Sequence, residues 1–510
     1  MSRQDEIVKE RIKKIHELRK QGINPYPTKY EVKAISSYLQ EKYAKLKPEA
    51  STKDSTKIAG RLMGFRDIGK IAFGVLQDGY GRIQIVLQEK ETPEKLIEFF
   101  KKYIDAGDFI GIEGTIFRTK RGELSVLVKK AELLAKSLLP LPDKWHGLED
   151  KEERYRKRYL DLTMSPEVRE VFDKRQLVFD YVREFLRGEG FGEVQTPILQ
   201  PIYGGTNAKP FESKLNALDM KVYMRISNEM YLKRLIGGGY TKIFEFSPDF
   251  RNEGIDKLHN PEFTQVETMW AYADYNDNME LWPKLIEYVI RKIHGKTKIK
   301  YGDNEIEFKA PWEKLRFLDA IKMHTKIDFL KVKSLDEAKK KSEALGVDVK
   351  GCRTLGEVMV SLFEEIVQPK LIQPTLVYDY PRGVVILAKS EGDFAKSFEV
   401  IINGWEIALS YCEENDPQAL EEKWKKQEVA STKEGNEAQR TDEDFLDMLK
   451  VGMPPVSGVG MGMDRFIMLA TNQPSIRDVI LFPFMKPEAK EEIKEKLAEK
   501  KTEKRKGKKK

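Results

Sequence analysis

Apolar positions along this chain recur with two different periods, and the changes between them divide it into segments. Ile7, Ile12, Ile15 and Leu18 fall on one stripe of a helix surrounded by Lys and Arg, and Gly22-Ile23-Asn24-Pro25-Tyr26-Pro27 ends the pattern. From 57 to about 134 the pattern becomes short strand-like runs. Five strands are predicted at 58–62, 72–76, 82–87, 109–113 and 124–128, with turns at Asp78-Gly79, Gly81 and Arg121-Gly122. Five short strands and one helix, at 93–103, fit a small OB-type barrel. Leu138 to Asp143 reads as a linker, and no internal repeat is visible.

A larger α+β region follows, opened by Arg154-Tyr155-Arg156-Lys157-Arg158-Tyr159-Leu160-Asp161-Leu162. Residues 169–189 have helical spacing up to Gly190, and Val194-Gln195-Thr196-Pro197 reads as a strand. Residues 243–253 alternate, with Phe244, Phe246 and Phe250 on one face and Arg251 and Glu253 on the other. After the loop 254–259, Phe263, Gln265, Glu267 and Met269 share a face of the return strand. A simple hairpin then gathers Arg251, Glu253, Phe263 and Glu267 on one surface, where a guanidinium can fork onto phosphate or carboxylate. Asn403-Gly404 between apolar runs predicts a two-residue hairpin in which Ile401 faces Glu406 and Glu399 is a diagonal neighbour. Two carboxylates so close repel unless a cation joins them, and magnesium bridging phosphates suits that role. Gly458, Gly460 and Gly462 leave one strand face without side chains, open to a flat ligand, and Asp464-Arg465 starts a helix beyond them. An arginine at a helix N-terminus favours phosphate.

Composition narrows the picture. At 510 residues the chain exceeds one compact core. No apolar run approaches the ~20 residues of a membrane span, and the charged N-terminus is no signal peptide. Two cysteines, Cys352 and Cys412, point to a reducing cytoplasm, and no Cys/His spacing suggests structural zinc. With five histidines, chemistry built on Arg, Glu and metal ions is favoured over histidine bases. The last twenty residues carry ten Lys or Arg and five Glu, so most of the formal net charge of +7 sits there. Such a tail reads as a solvated end, or else as an arm adding salt-sensitive affinity for nucleic acid.

The run Phe250-Arg251-Asn252-Glu253-Gly254 with His259-Asn260-Pro261-Glu262-Phe263-Thr264, and the run Gly458-Val459-Gly460-Met461-Gly462-Met463-Asp464-Arg465, resemble the second and third motifs of class II aminoacyl-tRNA synthetases. The long helix and proline-ended strand resemble the first, which in that class builds the dimer interface. Gly22 to Pro27, Arg154 to Leu162, Gly204-Gly205 with Pro210-Phe211, and Glu229-Met230-Tyr231-Leu232-Lys233-Arg234-Leu235 narrow the resemblance to the lysyl-tRNA synthetases. The likeness covers nearly all of residues 5–487. It implies an α+β multidomain protein: a helical segment at 1–50, an OB-fold anticodon-binding barrel at 51–136, and a linker at 137–153. A catalytic domain with an antiparallel sheet flanked by helices follows at 154–487, then the basic tail at 488–510.

The same resemblance implies roles. Arg251 and Arg465 are catalytic and hold ATP together with Glu253, His259, Phe263, Gly458, Gly460 and Gly462. Arg251 takes the α-phosphate and Phe263 stacks on adenine. Glu399 and Glu406 hold Mg2+. Gly205, Glu229, Glu267, Met269, Leu409 and Glu413 line the amino-acid pocket, with the three glutamates around an ammonium. Phe73, Gln84 and Glu123 fall at positions that contact the anticodon. The expected activity is ligation of lysine to tRNA(Lys) through a lysyl-adenylate, by a cytoplasmic homodimer that does not enter a membrane. Two rivals are a paralogue acting on another amino acid or a protein lysine, and a non-catalytic tRNA-binding relic. The pocket departs from the family in two places: Met269 stands where a tyrosine is usual, and Ala408-Leu409-Ser410 where Gly-Asn-Gly is usual. A buried ammonium without partners is costly, so another group or a water must compensate, with Ser410 among the candidates.

Overall fold

A computed structural model describes residues 3–142, 150–433 and 441–487. The basic tail at 488–510 and the middle of the linker lie outside the described residues. Contacts divide the chain into two compact units, 1–149 and 150–510.

In the first unit, α1 (Arg3–Lys20) precedes strands β1 (Ser51–Asp67), β2 (Ile71–Gln77) and β3 (Arg82–Gln88), then α2 (Glu94–Tyr103), β4 (Phe109–Arg118) and β5 (Leu124–Ala135). The strands close into a barrel in the order β1-β2-β3-β5-β4. Alternation sorts the side chains: Ala72, Leu76, Ile83, Ile85 and Leu87 are buried, while Phe73, Val75 and Gln84 are only part-covered. β1 and β5 run well past the expected strands, and bulges such as that between Leu62 and Gly64 let them bend round the barrel. In α1 the expected stripe holds at Ile15 and Leu18, which are buried, and fails at Ile12. Ile12 is exposed, and Arg11 is buried instead, donating to the carbonyls of Ser137 (2.8 Å), Leu139 (3.1 Å) and Ala106 (3.0 Å). Leu18 joins the barrel core, so the N-terminal helix packs on the barrel.

The second unit is built on an eight-stranded sheet. Its elements in chain order are α3 (Pro166–Gly188), β6 (Gly192–Glu193), α4 (Glu229–Gly237), β7 (Lys242–Phe250), β8 (Glu262–Ala271) and α5 (Tyr275–His294). Then come β9 (Glu313–Arg316), β10 (Thr375–Tyr378), β11 (Ser397–Ile402), β12 (Trp405–Cys412), β13 (Val456–Gly462) and α6 (Met463–Thr471). The sheet order is β9-β10-β11-β12-β13-β8-β7-β6, antiparallel except for the edge pairs β9–β10 and β6–β7. The strand expected at 194–197 is absent. The last backbone bond to β7 is from the Val194 N–H to the Phe244 carbonyl (2.9 Å); beyond it Thr196 turns away to bond Glu245 through both its backbone N (3.2 Å) and its Oγ1 (2.8 Å), and Pro197 has no N–H to give a ladder.

One face of this sheet is apolar. Phe244, Val266, Val459 and Met461 share a core with Val178 and Val182 of α3, Trp282, Leu285 and Val289 of α5, and Phe466 of α6. Full burial of each such side chain is worth about 1.5–3 kcal/mol. Asp274 starts α5 by accepting from the backbone N–H groups of Asn276 (2.7 Å) and Asp277 (3.2 Å). With one face sealed by helices, the period of two sends every second side chain to the other face. There the register lines up Ile243, Met269, Gly458 and Tyr411 in one row and Glu245, Glu267, Gly460 and Leu409 in the next.

Candidate active site

β7 ends at Phe250, one residue short of Arg251, but the pairing continues: the Arg251 N–H donates to the Pro261 carbonyl at 2.9 Å. This keeps the arginine on the polar face, as the alternation expects. Its Nε donates to the Ile226 carbonyl (3.3 Å), and its guanidinium lies 5.0 Å from the centre of the Phe263 ring, covering one side of it. A cavity of about 170 Å³ opens here, lined by Arg251, Glu253, His259, Phe263, Gly460, Gly462 and Arg465 among others. Arg465, at the start of α6, donates through Nη1 to the Glu406 carbonyl (2.9 Å), and its Nη2 lies 2.9 Å from His259 Nε2. His259 Nδ1 is in turn 2.8 Å from Asp256. Among the described residues neither Arg251 nor Arg465 is locked in a close carboxylate pair; the nearest, Arg465 with Glu406, is 3.6 Å apart. Both keep donors free for phosphate.

Asp464 is turned inward. It accepts from Arg175 Nη1 of α3 (2.6 Å) and from the Thr264 N–H (2.7 Å), which ties α6 to β8 and α3. Gly460 and Gly462 present an open face, with only ordinary contacts for an added Cβ. Gly458 does not. A Cβ there would lie 2.5 Å from Glu413 Oε1 and 2.9 Å from Met269 Sδ. This glycine makes room for the protein's own side chains, and it lines the neighbouring cavity rather than the one around Phe263.

That second cavity, of about 270 Å³, holds Gly205, Glu229, Glu267, Met269, Leu409 and Glu413, all six of the positions expected there. Arg251, Gln265, Glu406 and Gly460 line both cavities, so the two chambers meet at the arginine. Gly205 has φ +98°, and a Cβ on it would sit 2.9 Å from Ser227 Oγ. Ser227 Oγ accepts the Glu229 N–H (3.1 Å) and donates to Glu267 Oε1 (3.3 Å). Glu267 Oε2 is buried with no hydrogen-bond partner among the described residues. Burial, and then the charges of Glu229 and Asp249, push the Glu267 carboxyl well above its usual range.

The sequence reading missed what occupies the acidic end. The ammonium of Lys233, one turn along α4 from Glu229, is buried between Glu229 and Glu413 in contact with both, and 5.6 Å from the centre of the Tyr411 ring. Burial opposes this charge, but the two carboxylates hold its pKa up, at about 12. Burial pushes Glu413 up to about 8, Lys233 opposing. Ser410 does not compensate for the missing family contacts. It faces the other side of β12, fully buried, and donates to the Gly458 carbonyl at 2.8 Å. Behind the pocket wall Arg225, also missed, bonds Glu245 (2.8 Å) and the Pro248 carbonyl (2.9 Å), fixing the polar face of β7.

The Asn403-Gly404 hairpin forms with positive φ at both turn residues, and Ile401 pairs with Glu406 as expected. A bulge between Val400 and Ile401 places Glu399 opposite Leu409. Burial, then Glu406 and then Glu364, raise the Glu399 carboxyl well above the usual range, while Tyr380 and Arg465 oppose. Among the described residues no group of three or more His, Cys, Asp or Glu side chains is arranged to hold a metal. Of the two glutamates, Glu406 lines the cavity around Phe263 and Glu399 does not; carboxylates in such number are what Mg2+ takes when water and phosphate complete its shell.

On the barrel, Phe73 pairs with Val86 and Val75 with Gln84, so Phe73 and Gln84 share the outer face. Gln84 Nε2 donates to Ser125 Oγ at 2.8 Å, and the Ser125 hydroxyl donates to the Glu123 carbonyl (3.2 Å). The three expected positions thus belong to one connected patch, with the Glu123 side chain exposed.

Comparison with known proteins agrees with this geometry. Residues 150–486 match a family model described as tRNA synthetases class II (D, K and N), and residues 56–134 match one described as OB-fold nucleic acid binding domain. Among curated relatives, the lysine–tRNA ligase of Carboxydothermus hydrogenoformans is 46% identical over 95% of this chain and 98% of its own length. That of Clostridium novyi is 44% identical over 94% of each chain. That of Syntrophomonas wolfei is 43% identical over 95% of this chain and 98% of its own.

Proposed function

The chain belongs to the class II tRNA synthetases of the aspartate, lysine and asparagine branch and, within it, to the lysine–tRNA ligase family, and from that premise we propose how its site works. It ligates L-lysine to tRNA at the expense of ATP. The observation that carries the residue assignments is the meeting of the two cavities at Arg251. ATP lies over Phe263, with Arg465 on its outer phosphates; lysine lies in the chamber of Glu229, Glu267 and Glu413. An oxygen of the lysine carboxylate attacks the α-phosphorus, the bond to the β-phosphate breaks, and pyrophosphate leaves with the electron pair. Arg251 donates to the phosphate oxygens where charge develops. Mg2+ on Glu399 and Glu406 would neutralise phosphate charge. The 3′-terminal hydroxyl of tRNA(Lys) then attacks the adenylate carbonyl and releases AMP. No protein nucleophile is needed.

The charges of the pocket fit this substrate. Three carboxylates and the one ammonium of Lys233 leave two negative charges when all are ionised, and lysine brings two ammonium groups. ATP–pyrophosphate exchange with each of the twenty amino acids tests the reading. Lysine should support the fastest exchange, and a neutral amino acid outcompeting it would remove the lysyl assignment.

The raised carboxyls give a pH signature. Glu413, near 8, and Glu267 hold protons in the empty pocket that ordinary carboxyls would have lost near 4.5. An arriving ammonium favours their ionised forms, so binding expels protons and affinity rises with pH through the interval around 8. The KM for lysine should therefore fall across that interval. A KM that stays flat there would mean these carboxyls do not face the substrate.

The barrel binds the anticodon through Phe73, Gln84 and Glu123. Phe73→Ala should weaken binding of tRNA with a U-rich anticodon by ~1–3 kcal/mol, the worth of one stacked base. Adenylate formation without tRNA should not change. Equal tRNA affinity of variant and parent in a filter-binding titration would exclude stacking on Phe73. The protein acts in the cytoplasm as a homodimer through α3 and the segment after it, where Leu177, Ile198 and Leu199 are exposed. Light scattering of the purified chain checks the dimer. No helix among the described residues is long and apolar enough to cross a membrane.

A further inference from the structure

A third cavity, of about 210 Å³, opens from the amino-acid chamber and shares Gly205, Thr206, Leu409 and Tyr411 with it. Its far wall is apolar: Met230, Val385, Leu387 and Trp424. Leu409 is the partition between the two spaces. Among the described residues the one charged side chain lining this cavity is Asp442, and its carboxylate is already held by Arg234 at 2.8 Å. What the chamber leaves unmet is one carboxyl oxygen, the buried Glu267 Oε2, which has no hydrogen-bond partner among the described residues. An annex with an apolar wall and an unpartnered carboxyl oxygen beside it together suit a side chain that ends in an amide carrying an apolar group.

We propose that this site also accepts lysine carrying a short acyl group on its ε-nitrogen, with the amide directed to Glu267 and the acyl carbons in the annex bounded by Leu409, Met230, Val385 and Trp424. The annex has room for it, since a single water takes about 30 Å³ of liquid volume. The chemistry is unchanged: the same α-carboxylate attacks the same phosphorus, and the acyl group takes no part. The inference rests on the lysine reading given above and widens it from one amino acid to a class.

The test is ATP–pyrophosphate exchange by the full chain with lysine, Nε-acetyl-lysine and norleucine, in the parent and in Val385→Phe. Val385 lines the annex and not the amino-acid chamber. Exchange with Nε-acetyl-lysine is expected within about 100-fold of lysine in kcat/KM and above norleucine. Val385→Phe should cost the acetylated substrate about 10-fold or more, the scale of a misfitted group in an apolar pocket, and leave lysine unchanged. Exchange with lysine but none with Nε-acetyl-lysine overturns the inference alone. Parallel loss of both substrates in a folded Val385→Phe also overturns it, because the annex would then not be separate. If lysine itself gives no exchange, the underlying reading falls and this one falls with it.

Discussion

Arg251→Ala is expected to lose ~10²–10³ or more in the rate of adenylate formation, the usual cost of removing one preorganised donor from a developing oxyanion. The size follows from position. Arg251 is the arginine that lines both chambers. Its guanidinium is aimed by the Ile226 carbonyl and by the Phe263 ring. Its backbone N–H bonds Pro261 whatever the side chain, so the hairpin should survive the substitution. Arg251→Lys keeps the charge and loses the fork, and should fall between the two. Exchange at the parent rate by Arg251→Ala would sink the catalytic assignment.

Lys233→Met should cost the catalytic unit about 3–5 kcal/mol, because it leaves buried carboxylates without their cation. Two of them, Glu229 and Glu413, lose the same partner at once, and each is over 90% covered. Methionine fills nearly the same space, so the loss reports charge rather than a cavity. Above pH 8, where Glu413 is ionised in the parent, adding Glu413→Gln should return part of it by removing one of the stranded charges. Denaturant unfolding measures both; a midpoint unmoved by Lys233→Met would show that the ammonium is not what holds this end of the pocket together.

Lys233 also marks the limit of what the sequence could reveal. Its pairing with Glu229 is an i,i+4 contact on one helix, which in isolation reads as a surface pair. Glu413, which makes it a buried triad, lies at the far end of another strand. Local signals did better. The Asn-Gly turn dictated the pairing of Ile401 with Glu406, and the alternation in β7 and β8 placed Arg251, Phe263 and Glu267 on one side, because a period of two leaves no choice once one face is sealed. Errors arose where a remote partner overrode local pattern. Arg11 was buried by carbonyls near the linker and Thr196 was drawn off the sheet by Glu245, whereas Ser410 lies on the sealed face because it alternates with Leu409. Gly458 looked like part of a ligand platform; its neighbours Glu413 and Met269 could be found only in three dimensions.

The shared lining of the two chambers has a thermodynamic meaning. On the proposed reading Arg251, Gln265 and Glu406 face both substrates, so whichever binds first changes the surroundings that the second meets. ATP and lysine are therefore not independent ligands of this protein. Whatever factor ATP applies to the affinity for lysine, lysine applies to the affinity for ATP, and a single coupling free energy, held in three side chains, describes both.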